Sequence, residues 1–280
     1  MNVDLTGSIA FARQAFLESQ DWMTWNLFLA LLPWALSLWL FGQPRSRLLR
    51  WGVVSLVVAT FIPHASETLN AGLSIFKYIK TSYLIWAIVL TAVSIGFDRW
   101  KLKSKGSRSL LWWLGFLVFI AFLPNAPYVL TDIIHLIGDI RYYDSIWLIT
   151  LILIPKYLLF MGLGFQAYVS SLMRLGQYLK YRGWGRFVIP TEFMVHALSA
   201  IGIYLGRFRR FNSWDLVTAP DRVVTIAMND LVSQRPLLIT IVTFATLSGL
   251  YLVSKWVTES IGLAQKSRST SLDRSSMPTS

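Results

Sequence analysis

The chain contains no cysteine, which excludes a disulfide framework, a thiolate metal site and a cysteine nucleophile. Charge is also scarce: Asp, Glu, Lys and Arg make up 14% of 280 residues, while 55% are hydrophobic. A soluble domain needs about a quarter of its residues charged, so a soluble fold is excluded. No phosphate-binding loop, nucleophile elbow, dinucleotide fingerprint or paired-histidine zinc string occurs, leaving the chain without a recognisable enzyme signature. Only three histidines are present. Each has a carboxylate one helical turn away: His64 with Glu67, His135 with Asp132 and Asp139, His196 with Glu192. These are too dispersed for one metal site, and no metal or cofactor is expected.

What fills the chain is apolar sequence of roughly membrane length. Seven blocks run from Trp22 to Phe41, Leu48 to Ile62, Ser82 to Phe97, Leu110 to Tyr128, Ser145 to about Leu172, Phe187 to Leu205, and Pro236 to Val257. A bilayer core needs about 20 helical residues. The second and third blocks fall short, so the reading is an all-α polytopic transmembrane bundle of about seven spans, five if that pair is re-entrant or interfacial. Thirteen tryptophans sit mostly at block ends, the interfacial position that amphipathic rings favour. Residues 22–257 form one membrane domain, preceded by an interfacial segment over 1–21 and followed by a Ser/Thr-rich tail over 258–280 that reads as disordered. Asp4 and the lack of an early basic cluster argue against a cleavable signal peptide.

Loop charge sets an expected orientation. Arg45, Arg47 and Arg50; Arg99, Lys101, Lys103, Lys105 and Arg108; and Arg174, Lys180, Arg182 and Arg186 make three strongly basic connections. By the positive-inside rule these connections and the C-terminus are cytoplasmic and the N-terminus is outside. The connection from Leu205 to Pro236, with five arginines and three aspartates, is the exception. The net charge of +12 suits the anionic lipids of a cell membrane. It is spread over juxtamembrane loops, which excludes nucleic acid as the partner.

Two expected outer segments hold most of the unusual chemistry. In LPNAPYVLTDIIHL (residues 123–136), Pro124 and Pro127 each remove a backbone donor, so the spanning helix must kink or break. In a membrane such a break survives only against protein or in a wet cavity. Beyond it Asn125, Tyr128, Asp132, His135 and Asp139 recur at helical spacing on one face. Such a stripe is either the wet side of an interfacial helix or a functional face. In GIYLGRFRRFNSWDL (residues 202–216), Gly202 and Gly206 form a small-xxx-small pair for close helix approach. Arg207 and Arg210 follow as a fork suited to phosphate or carboxylate, with Asn212 and Asp215 beyond. The plainer alternatives are arginines snorkelling to headgroups, or neutralising Asp132 or Asp139. Within the bilayer, Lys156, Glu192 and His196 form a third set. Lys156 and Glu192, at similar expected depth on consecutive antiparallel helices, are expected to pair, serving either helix register or a proton or gating function.

The strings LPNAPYVLTDIIHL and GIYLGRFRRFNSWD, together with WNLFLA at residues 25–30, resemble a family of bacterial multi-spanning membrane proteins classed as a domain of unknown function. The resemblance runs from about Trp22 to Val257. It implies an integral membrane protein and lends no activity or catalytic residue. The leading functional reading is a binding or transport protein whose outer vestibule, lined by Asn125, Tyr128, Asp132, His135, Arg207, Arg210, Asn212 and Asp215, receives a small polar or anionic ligand or a lipid headgroup. Competing readings are a membrane-integral enzyme on a lipid-linked substrate, with Asp132 or His135 as base, and an assembly factor with no ligand.

Overall fold

A computed structural model describes residues 20–41, 47–66, 110–211, 219–231 and 234–275, with the backbone alone given at a few helix ends. Among these residues every regular element is helical. We label them α1 (Gln20–Leu40), α2 (Arg47–Phe61), α3 (Leu110–Phe122), α4 (Ile133–Tyr142), α5 (Ile154–Tyr181), α6 (Val188–Phe208), α7 (Pro220–Leu231) and α8 (Gln234–Ser275). Five stretches are long and apolar enough to cross a membrane: Trp22–Leu40, Leu111–Tyr142, Ile146–Tyr181, Gly185–Phe208 and Arg235–Gly262. Seven full spans are therefore not found among the described residues. The second block forms the short helix α2, below spanning length, and the third block, residues 82–97, lies outside the described residues. The expected interfacial segment lies almost wholly outside them too. At the other end α8 carries helical backbone to Ser275, into the stretch over 258–280 expected as a tail.

The spans alternate in direction. At one end of the bundle the start of α1 meets Asp132 and the end of α6. At the other, the indole of Trp112 donates to the Leu40 carbonyl at 3.2 Å, and Phe41 packs on Tyr178. α2 turns back along α1, Val53 against Ala35 and Leu38, and brings His64 to 3.0 Å from the Thr24 hydroxyl.

The proline-bearing stretch Leu123–Asp132 winds as a ten-residue 3₁₀ helix, because Pro124 and Pro127 cannot donate the bonds an α-helix needs. Such length is uncommon for this geometry. It is held by burial: Leu123, Ala126 and Val129 are inaccessible, packed among α1, α5 and α6. Gly164 of α5 lets Val129 touch the helix backbone, since a Cβ there would lie 2.7 Å from a Val129 methyl. Pro155 has a similar local effect on the fifth block. It follows a π turn, Ile149–Leu153, which widens the coil where the proline ring would strike a carbonyl. Facing outward, Leu111, Leu151, Leu159, Leu163, Ile189, Leu238 and Val253 are half or more exposed, an apolar belt that only a lipid surround covers.

Candidate functional site

The residues singled out from the sequence fall into three places. At the first, Asp132 ends the 3₁₀ segment and is 1% exposed. Its Oδ2 accepts from Asn26 of α1 at 2.8 Å and its Oδ1 from Arg207 of α6 at 3.0 Å. The same guanidinium nitrogen donates to the Thr131 hydroxyl at 2.8 Å, and the group lies over the Tyr128 ring, 5.2 Å from its centroid. That stacking is possible because Gly206 has no side chain: a Cβ there would sit 3.0 Å from the Tyr128 ring. Gly202, expected to share this contact, has nothing within 4 Å. His135 is about half exposed, 4.0 Å from Asp132 Oδ1, with its ring 4.5 Å from that of Trp22. Asp139 accepts from the Tyr157 hydroxyl at 2.8 Å. Asn125 is half-buried on the same segment.

The polar stripe is thus real but winds differently. With three residues per turn, Asn125, Tyr128 and Thr131 share a face, so Thr131 joins the arginine contact that a 3.6-residue period denies it. Asn26 was also missed; an amide inside an apolar first block was the available signal. Both oxygens of Asp132 are committed, so the arrangement is a latch tying α1 and α6 to the 3₁₀ segment and offers no free base.

Arg207 and Arg210 do not form a fork. α6 ends at Phe208, Arg210 takes a left-handed backbone (φ 56°), and the Phe211 N–H returns to the Leu205 carbonyl at 3.2 Å. Past this turn opens a cleft of about 550 Å³ lined by Arg209, Arg210, Phe211, Arg222, Ile226, Asn229 and Asp230. Arg209 is neutralised inside it. Its Nε donates to Asp230 Oδ2 at 2.6 Å and a terminal nitrogen to Oδ1, while the Tyr204 hydroxyl adds a bond of 3.1 Å. Hydrogen bonding to Asp230 pushes Arg209 further up, and the same bonds hold the Asp230 carboxyl below the usual carboxylate range. Arg210 and Arg222 are exposed and have no ion-pair partner among the described residues. Arg222, Ile226 and Asn229 share a face of α7 at spacings of four and three, a pattern legible in the sequence and overlooked. Asn212 and Asp215 lie outside the described residues.

The third place corrects the expected midplane pair. Glu192 is bound by Lys255 of α8, whose Nζ lies 2.6 Å from Oε1, and by the Tyr251 hydroxyl at 2.6 Å. Lys156 instead feels the charge of Asp139, near Tyr157 and the Asp132 end. His196 stands beside Glu192 as expected, its Nδ1 2.6 Å from the Tyr168 hydroxyl and its ring 4.7 Å from that of Tyr251. Glu67 lies outside the described residues. No three His or acidic side chains converge among the described ones.

No curated protein and no solved structure matches the chain. A family model described as Protein of unknown function (DUF1361) matches residues 83–248, more than half of the chain and all of the motifs at residues 123–136 and 202–216, and the protein therefore belongs to that family, whose function is unknown.

Proposed function

We propose that this chain is a multi-pass cell-membrane protein that binds an anionic, phosphate-bearing group in the cleft between the end of α6 and α7. The observation that carries the reading is the pair Arg210 and Arg222. Both residues line an open cleft and, unlike Arg207 and Arg209, are matched by no carboxylate among the described residues. Planar guanidinium groups favour phosphate through paired, charge-assisted bonds. The cleft lies just past the last apolar turn of a spanning helix, at headgroup height. α7 supports the lipid side of this reading: Val224 and Met228 are more than half exposed, as on a helix resting on a membrane surface. By loop charge this end faces outward and the Glu192 end faces the cytoplasm.

The test is retention of phospholipid. The full chain, purified in neutral detergent from a defined mixture of zwitterionic and anionic lipid, is weighed intact by native mass spectrometry beside an R210Q/R222Q variant. Wild type is expected to keep anionic phospholipid that the variant loses. Equal retention refutes a headgroup site. Competition by inorganic phosphate distinguishes a free-anion site from a lipid site, because only the former is displaced without the acyl chains. The enzyme alternative loses Asp132 as its base, leaving His135 alone.

A further inference from the structure

Glu192 and His196 belong to a seam that neither the latch nor the cleft uses. On α6 the polar residues Glu192, His196 and Ser199 succeed one another at spacings of four and three. On antiparallel α8, Ser248, Tyr251 and Lys255 do the same. Tyr168 of α5 closes the third side, its ring 6.4 Å from Tyr251. Tyr168 and Ser199 are inaccessible, Tyr251 is 1% exposed and His196 2%. Arg207 marks one end of α6. His196 lies eleven residues from it, about 16 Å, and Glu192 fifteen residues, about 22 Å. His196 therefore sits close to mid-bilayer, and Glu192 is in the far half.

A pair that only sets helix register needs one carboxylate and one ammonium with their valences filled. Here both bonds to Glu192 fall on Oε1, and Oε2 has no partner among the described residues. On His196 the bond falls at Nδ1, which leaves Nε2 in the same condition. One turn further on, the buried hydroxyls of Ser199 and Ser248 have no partner either. Buried polar atoms are normally bonded, and those without a protein partner mark places for water or a mobile proton. Two such hydroxyls, next to a Glu192 oxygen and a His196 nitrogen that no other described side chain fills, are hard to reconcile with a purely structural seam.

We propose that Glu192 and His196 form an intramembrane proton-binding couple loaded from the Lys255 end. A proton from water at that end, where Lys255 is about a quarter exposed, binds Glu192 Oε2 and converts the carboxylate to the acid. Tyr251 keeps its bond to Oε1. Lys255 stays protonated, loses its anion, and is released toward the water it already touches. Passage of the proton to His196 Nε2 gives an imidazolium, restores the carboxylate and draws Lys255 back to it. The imidazolium gives the proton back through Glu192 to water at the Lys255 end by the reverse of these steps, so binding is reversible and no other reactant is needed. The groups facing the couple are Tyr168 from α5 and Tyr251, Lys255 and Glu259 from α8.

The chain has only four glutamates, at positions 18, 67, 192 and 259, so the site can be watched directly. The full chain is labelled with carboxyl-¹³C glutamate, reconstituted in lipid and followed by solid-state NMR across pH. The resonance that disappears in E192Q is expected to move reversibly between carboxylate and acid, with a midpoint that shifts in H196F. Should E192Q fail to fold, Y251F identifies the same resonance by shifting it. A Glu192 carboxyl that stays ionised over the whole pH range in which the protein is folded overturns the proposal. So does a midpoint unchanged by H196F, because a register pair is indifferent to that histidine.

Discussion

Replacing Asp132 with Asn tests the latch that joins three helices at one end of the bundle. The substitution keeps the shape but leaves one acceptor oxygen where the carboxylate has two. Asn26 and Arg207 donate to different oxygens, so one of them must face an NH₂ group. Arg207 also loses its counter-charge at a site where its Nε is already buried without a partner. Breaking one member of a buried pair costs about 3 to 5 kcal/mol, and Asp132 is 1% exposed. At roughly 2 to 4 °C per kcal/mol for a chain of this order, the melting temperature in detergent should fall by about 6 to 20 °C. Arg207→Met should lower it as well, through the stranded carboxylate and the lost stacking on Tyr128. The decisive sample is the double variant. With both charges gone the stranded-charge cost disappears, so its loss should be well short of the two single losses added together. Additivity within about 0.5 kcal/mol would show that the two side chains touch without depending on each other, and the latch would be refuted.

Three further outcomes are expected. Asp230 is held below the usual carboxylate range by Arg209, so its contribution to docking α7 is complete above the unfolded value of about 4 and fades as pH falls through the lower folded value; melting curves of wild type and D230N should differ at neutral pH and converge in acid, and a constant gap would contradict the assignment. Gly164→Ala places a methyl 2.7 Å from a Val129 carbon that is fully buried, an overpacking cost of about 1 to 3 kcal/mol read as a lower melting temperature that Val129→Ala partly restores. Because the chain lacks cysteine, single cysteines at Asp144 and Arg182 report orientation: an impermeant thiol reagent applied to intact cells should label position 144 and spare 182, and the reverse pattern would invert the topology argued from loop charge.

The parts of this molecule legible in its sequence are those the membrane itself dictates. Apolar length marks each of the five long helices, since a spanning segment must satisfy its backbone internally and present hydrocarbon outward. The marginal length of block two likewise foretells the short helix α2. The proximity of Asp132 and Arg207 could be anticipated because both stand at block ends that charge places on one side. What stayed hidden depends on local winding and on which helices are neighbours in space. Pro124 and Pro127 announce a break but not its geometry. The 3₁₀ coil then brings Thr131 into line with Tyr128 and makes it, with Asn26, part of the arginine's surroundings. The Lys156 pairing fails for a different reason. Depth counted from Ser145 assumes a straight helix of bilayer length, whereas Ile146–Tyr181 has 36 residues, about 54 Å at 1.5 Å per residue, far more than a core of about 30 Å. Lys156 therefore lies at the level of Asp139, and the counter-ion of Glu192 comes from the last helix. Lys255 stands two residues inside the end of the last apolar block, where a lysine looks like an ordinary interfacial anchor. Only the antiparallel packing of α8 on α6 turns it inward, and the same packing aligns Tyr251 with Glu192 and His196 to make the polar seam.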